Sequence, residues 1–282
     1  MMATLINGKL LSEQLLVQQI KEAQVLKDSG INPGLAVVLV GEDPASAIYV
    51  RNKEKACKTI GIESKSFRLP ENTTQQELVD LINRLNKDTS VHGILVQLPL
   101  PKHLDEAAVL KEIVPHKDVD GFHILNAGML FRGQNSIVPC TPKGILYMLK
   151  STGIQLEGKH AVIVNHSNVV GKPLAMLLLQ ENCTVTICHI YTKNLKEMTR
   201  QADILVVAIG NAKFFTGDMV KEGAVVVDVG INRLDGKVVG DVDMETVAPI
   251  ASYITPVPGG VGKLTISMLM QNTLEAAWKA ER

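Results

Sequence analysis

Aromatic side chains are scarce in this sequence, and neither sign of charge predominates. Only 4% of the 282 residues are aromatic, and a single Trp is present. Lys and Arg number 29, as do Asp and Glu, so the formal net charge is zero. Because stacking rings are few and positive charge is not in excess, we expect no binding to nucleic acid or to an acidic membrane surface.

Long apolar runs and paired cysteines are also missing. No apolar run approaches the roughly 18 residues of a membrane-spanning helix, and the start, MMATLINGKLLSEQ, lacks the layout of a signal peptide. The cysteines form no CxxC pair and have no histidine cluster beside them; they are Cys57, Cys140, Cys183 and Cys188. We therefore expect a cytoplasmic protein with reduced, mostly buried thiols and no metal site.

Short apolar runs alternate with stretches of helical spacing along the whole chain. The predicted strands are 35–40, 64–69, 93–97, 161–164, 184–188, 204–208 and 224–229. The predicted helices are 44–60, 74–86, 170–181, 194–201 and 265–280. Continuous apolar strands separated by helices are typical of parallel sheets that are covered on both faces.

The strands fall into two series, which predicts an α/β protein of two domains, each with a parallel doubly wound sheet. We assign residues 1–137 plus 266–282 to the first domain and 138–265 to a second, Rossmann-type NAD(P)-binding domain. The last helix returns to the first domain in this scheme, since chain termini often lie close together. The less regular segment 115–130, PHKDVDGFHILNAGML, is expected to hold the linker and the cleft between the domains.

The turn Asn165-His166-Ser167 joins a predicted strand to a predicted helix, which is where a dinucleotide-binding loop lies. Asn165 replaces the first glycine of the usual fingerprint, and Asn tolerates positive φ better than most residues. Ser167 can donate to a phosphate or cap the helix, and Gly171 allows close packing of helix and strand. Taken alone, the stretch could equally be an ordinary strand-to-helix turn.

Cofactor preference depends on the end of the following strand. NAD sites usually carry Asp or Glu there, whereas this chain has His189-Ile190-Tyr191 and no acid. An acid would repel a 2′-phosphate, so its absence favours NADP, with NAD still possible because no Arg is present either.

In the first series, Tyr49 and Lys53 are spaced to share one face of a predicted helix, and Gln97 ends a buried strand. Lys53 can serve in chemistry on water or an iminium carbon, or it can lie on a solvated face together with Lys55. Gln97 is either a ligand-facing amide at the carboxyl end of the strand or a plain surface residue.

Two loop segments complete the set of candidates. Asp118 and Asp120 flank Val119; they can cap local structure or accept hydrogen bonds from an aminopyrimidine ring. The segment PVPGGVG, 256–262, combines stiff prolines with glycines that permit close approach of a ligand, although it could be a mere connector.

Read together, these segments resemble the bifunctional methylenetetrahydrofolate dehydrogenase/methenyltetrahydrofolate cyclohydrolase family. The motifs that carry the resemblance are GEDPASAIYVRNKEKA (41–56), GILVQLPLP (93–101), KDVDGFH (117–123), PCTPKGI (139–145), DVGINR (228–233) and PVPGGVG with Thr265 and Asn272-Thr273. The resemblance covers nearly the whole chain. It implies a tetrahydrofolate substrate bound by the first domain, NADP or NAD bound by the second, two sequential activities and a homodimer.

The resemblance also implies roles for single residues. Lys53 is the expected catalytic lysine, Gln97 its partner, Tyr49 the ring that packs on the folate, and Asp120 the pterin-binding carboxylate. The remaining residues expected to bind substrate are Leu98, Pro258, Gly259 and Gly260. The residues expected to bind cofactor are Asn165, His166, Ser167, Ile190, Ile231 and Thr265.

The chain departs from the family pattern at three places. Asn165-His166 replaces Gly-Arg and so removes a permanent cation, and Ile190 stands where many relatives carry Arg or Ser. Lys263-Leu264 replaces Pro-Met, which adds a positive charge. Two other functions compete with the enzyme: a binding protein without turnover, which would not need Lys53, and an unrelated amino-acid dehydrogenase, which the first-domain motifs disfavour.

Overall fold

The computed structural model describes residues 2–280, and the chain forms two compact units. The first, called here the three-stranded unit, contains Gln14–Cys140 and the C-terminal segment from Ile266. The second, the six-stranded unit, contains the segment up to Glu13 and Thr141–Thr265. Each unit has its own parallel sheet and apolar core, so the predicted two-domain α/β fold class is confirmed.

Strands and helices alternate along much of the chain, as the sequence predicts, but three helices follow one another within 106–151 and three strands within 225–239. The helices at 8–28, 106–112, 124–131 and 140–151 were not predicted. In the first half the elements are β1 (Thr4–Leu5), α1 (Gly8–Asp28), β2 (Gly34–Val40), α2 (Pro44–Ile60), β3 (Glu63–Leu69), α3 (Gln75–Lys87), β4 (Gly93–Val96), α4 (Glu106–Glu112) and α5 (Ile124–Phe131). In the second half they are α6 (Cys140–Ser151), β5 (His160–Val164), α7 (Gly171–Gln180), β6 (Thr184–Cys188), α8 (Leu195–Thr199), β7 (Ile204–Val207), a 3₁₀ turn (Gly217–Met219), β8 (Val225–Asp228), β9 (Asn232–Leu234), β10 (Lys237–Val239), α9 (Met244–Val247), β11 (Tyr253–Ile254) and α10 (Val261–Ala280).

The three-stranded sheet has the order β3-β2-β4, with every pair parallel. The chain therefore leaves β2 on one side, through α2 to β3, and passes back to the other side, through α3 to β4. Helix α3 begins with a reciprocal cap between Thr74 and Glu77 and buries Leu78, Leu81, Ile82 and Leu85 against the sheet. Such a reversal of direction leaves a crevice at the carboxyl ends of β2 and β4, where ligands of open α/β sheets bind.

Helix α2 starts at the carboxyl end of β2 because the local sequence specifies a helix start there. The Asp43 carboxylate accepts a hydrogen bond from the Ser46 backbone N–H at 2.7 Å, and Pro44 suits the first helical position. The helix ends at Gly61, which adopts φ 94°. The cap thus fixes the register of the helix that carries Tyr49 and Lys53.

The six-stranded sheet has the order β1-β11-β8-β7-β5-β6, again with every pair parallel. The direction of winding reverses between β5 and β7, because β5 continues to β6 on one side and β6 crosses back to β7 on the other. This arrangement puts the end of β5, at Asn165, beside the end of β7, at Ala208. It is the position at which a dinucleotide binds in a Rossmann-type sheet.

The structure differs from the sequence-based boundaries in three places. The first residues, assigned to the first domain, group with the six-stranded unit because β1 pairs with β11 in parallel; a two-residue strand has no periodicity to reveal it. Segment 115–130, expected as a linker, lies inside the three-stranded unit, and the units divide between Cys140 and Thr141. The last helix begins at Val261 rather than near 265. Residues 1, 281 and 282 of the assigned domains lie outside the described residues.

Candidate functional site

A lysine–glutamine pair lies at the carboxyl end of the three-stranded sheet. Lys53, half-buried on α2, donates from Nζ to Gln97 Oε1 at 2.9 Å. Gln97 follows β4 directly, and its Nε2 donates to the Leu98 carbonyl at 2.7 Å. Since an ammonium only donates and a carbonyl only accepts, these two bonds fix which way the glutamine amide points. Lys53 is thus held at the crevice, whereas Lys55 is exposed.

Tyr49 precedes Lys53 by one helical turn on α2. It is 49% exposed, so its ring is accessible to a ligand. Leu98 is half-buried and packs against the core beneath the crevice. The structure therefore brings Tyr49, Lys53, Gln97 and Leu98 to one end of one sheet, as the candidate roles require.

The two aspartates of the loop after α4 have different environments. Asp118 is buried, and its Oδ2 accepts hydrogen bonds from the His123 backbone N–H at 2.7 Å and from Asn126 Nδ2 at 2.9 Å. It stabilises the loop and the start of α5. Asp120 is only partly buried, and Cys140 Sγ contacts its Oδ1 at the long distance of 3.9 Å. The capping role thus belongs to Asp118, and Asp120 keeps its acceptor capacity for a ligand.

Burial raises the pKa of Asp120 to about 6, and the charge of Lys53 acts in the opposite direction. The carboxylate of Asp118 adds to the rise. An aspartate with a raised pKa beside a lysine in a crevice is typical of a functional site. The electrostatic link to Lys53 also indicates that Asp120 belongs to the same constellation as the Lys53–Gln97 pair.

Sequence reasoning gave no role to the residue that holds this loop in place. Asn272, fully buried on α10, donates from Nδ2 to the carbonyls of Val119 and Val138 at 2.8 and 2.9 Å. A buried asparagine must satisfy its amide, and here it fixes the backbone on one side of Asp120. Asn272-Thr273 is among the motifs that carry the family resemblance, but the sequence does not show which groups the Asn272 amide contacts.

In the six-stranded unit, Asn165 organises the turn after β5. Its Oδ1 accepts hydrogen bonds from the backbone N–H groups of Ser167 and Gly171, at 2.9 and 3.0 Å, and from Ser167 Oγ at 2.7 Å. Its Nδ2 donates to the Ala208 carbonyl at 2.6 Å. Asn165 is not among the residues with positive φ. The expectation that it replaces glycine through its backbone is therefore wrong, because its side-chain amide bridges β5 and β7.

Ser167 and Gly171 complete this turn. Ser167 Oγ donates to Asn165 Oδ1 and accepts from the Val170 backbone N–H at 3.1 Å, so the hydroxyl stabilises the start of α7. A Cβ added to Gly171 would lie 1.9 Å from the Asn165 carbonyl oxygen, and only glycine permits that approach. The predicted close packing at Gly171 is confirmed.

Imidazole and phenol rings cluster at the ends of β5 and β6. The exposed ring of His166 lies 5.1 Å from that of His189, which in turn lies 6.0 Å edge-on to Tyr191. The Tyr191 backbone N–H donates to His189 Nδ1 at 3.2 Å, which orients that ring. Ile190 is 86% exposed and presents no polar group. Sequence reasoning selected His166 and Ile190 but missed His189, which the position next to Ile190 could have indicated.

The other cofactor candidates lie near the start of α10. Ile231 follows β8 and is 62% exposed, and a Cβ added to Gly262 would lie 3.7 Å from Ile231 Cδ1. Thr265 Oγ1 lies 3.1 Å from Thr141 Oγ1. Three residues of the same region were expected to bind substrate instead: Pro258 is exposed, Gly259 adopts φ 107° just before the helix begins, and Gly260 is buried. These residues belong to the six-stranded unit together with the turn at Asn165.

The cysteines are buried, which confirms the expected thiols. Burial raises the pKa of Cys57 to about 12, so this thiol is inert in the folded protein. Within residues 2–280 no group of three or more His, Cys, Asp or Glu side chains could hold a metal ion. None of the helices in the same range is both long and apolar enough to cross a membrane.

Comparison with known proteins agrees with this geometry. Residues 6–120 match the family model of the tetrahydrofolate dehydrogenase/cyclohydrolase catalytic domain, and residues 139–281 match that of its NAD(P)-binding domain. The chain is 58% identical over 277 residues to the bifunctional protein FolD of Oceanobacillus iheyensis, with 98% of this chain and 97% of that protein covered.

Solved structures give the same result. The bifunctional FolD dehydrogenase/cyclohydrolase of Campylobacter jejuni is 53% identical with a TM-score of 0.97, covering 98% of this chain and 99% of that one. The Trypanosoma brucei enzyme, complexed with NADP cofactor and inhibitor, is 37% identical with a TM-score of 0.94, covering 100% and 99%. The resemblance inferred from motifs is confirmed: the chain belongs to the tetrahydrofolate dehydrogenase/cyclohydrolase family, and it is a bifunctional enzyme of that class.

Proposed function

We propose that the protein oxidises 5,10-methylenetetrahydrofolate to the 5,10-methenyl form with NADP⁺ and then hydrolyses that product to 10-formyltetrahydrofolate, with Lys53 as the catalytic residue of the hydrolysis. The observation that carries the proposal is the 2.9 Å hydrogen bond from Lys53 Nζ to Gln97 Oε1. It supports a lysine held at the carboxyl end of a parallel sheet, beside Asp120.

The first step needs positioning rather than acid or base groups. The bridging carbon of the substrate lies between two nitrogens, and a nitrogen lone pair forms a C=N bond as hydride leaves that carbon. Bound NADP⁺ supplies the hydride acceptor. The protein's part is to hold the reacting carbon in place: Asp120 accepts hydrogen bonds from the amino-pyrimidine end of the pterin, and the exposed ring of Tyr49 packs on the folate.

The second step moves protons and therefore needs a group that can carry them. Water adds to the methenyl carbon and one C–N bond of the bridge breaks. The added water loses two protons, of which the released nitrogen takes up one and the solvent the other. We assign this proton transfer to Lys53 Nζ. Gln97 keeps the Lys53 amine in position because its Oε1 accepts a hydrogen bond from Lys53 Nζ.

The residues around Asn165 fit a bound dinucleotide. The turn is preorganised by its own hydrogen bonds, and His166 presents an exposed ring beside it. Because Ser167 Oγ is already used by Asn165 and Val170, His166 is the side chain of this turn left to contact a 2′-phosphate. No carboxylate follows β6, which supports NADP over NAD. Ile231 and Thr265 are assigned to the nicotinamide half, and Ile190 borders the adenosine half.

The proposal also includes a homodimer, which follows from the family resemblance, and a cytoplasmic location. Four buried thiols and a family of metabolic enzymes support a reducing compartment. Light scattering at two protein concentrations measures the oligomeric state, and a monomer at both would contradict the homodimer.

Two assays on one pair of variants test the catalytic assignment. NADPH formation from methylenetetrahydrofolate follows the dehydrogenase, and loss of methenyltetrahydrofolate absorbance, without cofactor, follows the cyclohydrolase. We expect Lys53→Met to lower cyclohydrolase kcat by at least about 100-fold, since general acid–base groups contribute this much. The matched control is Lys55→Met, an identical change on the same helix at an exposed position, which should retain both activities. Near-normal methenyl hydrolysis by Lys53→Met would refute the role of Lys53.

A further inference from the structure

A buried carboxylate, that of Asp241, lies at the loops that follow β7 and β8. None of the roles proposed above includes it. Asp241 is 0% exposed, yet its oxygens are fully used. Oδ2 accepts hydrogen bonds from the backbone N–H groups of Ile209 and Gly210 at 2.6 and 3.1 Å. Oδ1 accepts from the Asn211 backbone N–H and from Asn232 Nδ2, both at 2.8 Å. One side chain therefore joins two loops that are far apart in sequence.

A second buried carboxylate, Asp228, positions Asp241 itself. Asp228 Oδ1 accepts from the backbone N–H groups of Asp241 and Gly230 at 3.0 and 2.9 Å, and Oδ2 accepts from Val242 at 2.9 Å. Burial raises the pKa of Asp228 to about 6, although these backbone donors act in the opposite direction. Removing two carboxylates from water into one buried region is costly, so the hydrogen-bond donors that surround them are needed to offset this cost.

The chain comes unusually close to these carboxylates at Gly230. A Cβ there would lie 2.3 Å from Asp241 Oδ1, so any larger residue would push the loop away from the carboxylate. Gly230 precedes Ile231, and Asn232, which donates to Asp241, follows it. The exposed Ile231 is thus held on both sides. Its neighbour Gly230 is hydrogen-bonded to Asp228, and its other neighbour, Asn232, is hydrogen-bonded to Asp241.

The loop after β7 is held in the same way. Asn165 donates to the Ala208 carbonyl, and Asp241 accepts the three backbone N–H groups that follow, from Ile209 to Asn211. The carboxyl ends of β5, β7 and β8 are therefore linked by side-chain hydrogen bonds rather than by the sheet ladder alone.

We propose that Asp241 is a positioning residue for the dehydrogenase reaction, which fixes Ile231 and the loop 209–211 as one surface against the nicotinamide half of the cofactor. The proposal rests on the function proposed above. It predicts that disturbing Asp241 impairs hydride transfer and leaves the hydrolysis at Lys53 intact, because that hydrolysis uses no nicotinamide.

Asparagine is the informative replacement, since it has the shape of aspartate but a different hydrogen-bonding pattern. An ionised carboxylate accepts at both oxygens, whereas an amide presents two donors at one end. In Asp241→Asn, that end must face N–H groups from at least one of the two loops, which would be displaced. A misplacement of about 1 Å at a reacting centre costs about 100-fold in rate. We therefore expect dehydrogenase kcat/KM to fall about 10- to 100-fold, with a higher KM for NADP.

The matched control is Asp243→Asn, the same chemical change two residues along the chain. Asp243 is half-buried and directly precedes the short helix α9. Its Oδ2 accepts a hydrogen bond from Thr246 Oγ1 at 2.9 Å, and its Oδ1 lies 4.0 Å from Lys213 Nζ, so its side chain is not bonded to residues 209–211 or to Asn232. Both variants are measured with NADP in the dehydrogenase assay and without cofactor in the cyclohydrolase assay. Asp243→Asn should retain both activities, and Asp241→Asn should retain cyclohydrolase activity within about 2-fold, an effect below about 0.5 kcal/mol.

If Asp241→Asn fails to fold, a milder variant tests the positioning role of Asp241. Asn232→Ala removes one of the four hydrogen bonds to Asp241 at a half-buried site, and it should raise the KM for NADP about 3- to 10-fold with unchanged cyclohydrolase activity. Equal loss of both activities in folded variants, or unchanged dehydrogenase kinetics in both, would overturn the positioning role. If the proposed function itself is wrong, the unmodified protein will not oxidise methylenetetrahydrofolate with NADP, and this result is distinct from any effect of the variants.

Discussion

Replacing Asp120 by asparagine separates the contribution of this residue to stability from its contribution to binding. Burial raises the pKa of Asp120 from an ordinary value of 3.8 to about 6, so ionising the carboxyl costs more in the folded protein than in the unfolded chain. Each pKa unit corresponds to ~1.4 kcal/mol, which gives about 3 kcal/mol at pH 8. Because Asp120 is only partly buried, solvent screening lowers our expectation to about 2 kcal/mol.

The sign of this effect sets the pH window. A raised folded-state pKa means that the protonated form is favoured on folding, so the associated stability is present below pH 3.8 and is lost as pH rises through about 6. Asp120→Asn carries no charge at any pH. We expect it to be more stable than the unmodified protein by about 2 kcal/mol at pH 8, with the difference falling towards zero at pH 4.

Urea unfolding followed by circular dichroism at the two pH values measures this difference. The same variant should bind folate more weakly, with a KM at least about 10-fold higher, because an amide cannot accept two hydrogen bonds from an amino-pyrimidine as a carboxylate does. If Asp120→Asn is less stable than the unmodified protein at pH 8, or if its free energy of unfolding changes equally at both pH values, then burial does not oppose the ionisation of Asp120. An unchanged folate KM would remove Asp120 from the binding site.

Three further changes test other parts of the structure. Gly171→Ala should destabilise the protein by more than about 2 kcal/mol, because its Cβ would clash with the Asn165 carbonyl; Gly128→Ala, which meets nothing within 4 Å on α5, should be neutral or stabilising in the same urea titration. His166→Arg should raise the NADP-to-NAD ratio of kcat/KM about 10-fold by adding a permanent cation, and an unchanged ratio would exclude contact with the 2′-phosphate. Cys57, 0% exposed and with a pKa raised to about 12, should resist alkylation at pH 8 until urea unfolds the chain.

The elements that sequence patterns predicted well are those whose signal is local. The strand predicted at 184–188 is β6, and the helix at 74–86 is α3 within one residue at each end. Continuous apolar runs and reciprocal caps operate over a few residues, so they can be identified from the sequence alone. The hairpin of β9 and β10 was missed, although Asp235-Gly236 between its strands, both with positive φ, is a strong turn signal.

The candidate site shows where sequence reasoning reaches its limit. Asp118 and Asp120 have the same charge and lie two residues apart, yet only the fold shows that Asp118 is used internally by His123 and Asn126. The sequence placed Asn165 in the cofactor loop, but the predicted reason, its tolerance of positive φ, is wrong. Its amide bonds Ala208 at the end of another strand, and no pattern around Asn165 indicates that partner.

The sequence by itself determined the strands and helices with strong local patterns, the two-unit α/β class and the family, because capping, apolar runs and ordered motifs are properties of neighbouring residues. Only the tertiary structure decided which polar groups act together. Lys53 meets Gln97 across 44 positions of sequence, and Asp241 meets Ile209 across 32. Hydrogen bonds form between groups that the sheet order brings within about 3 Å, and the sheet order, with its reversals at β2 and β5, is a property of the whole chain.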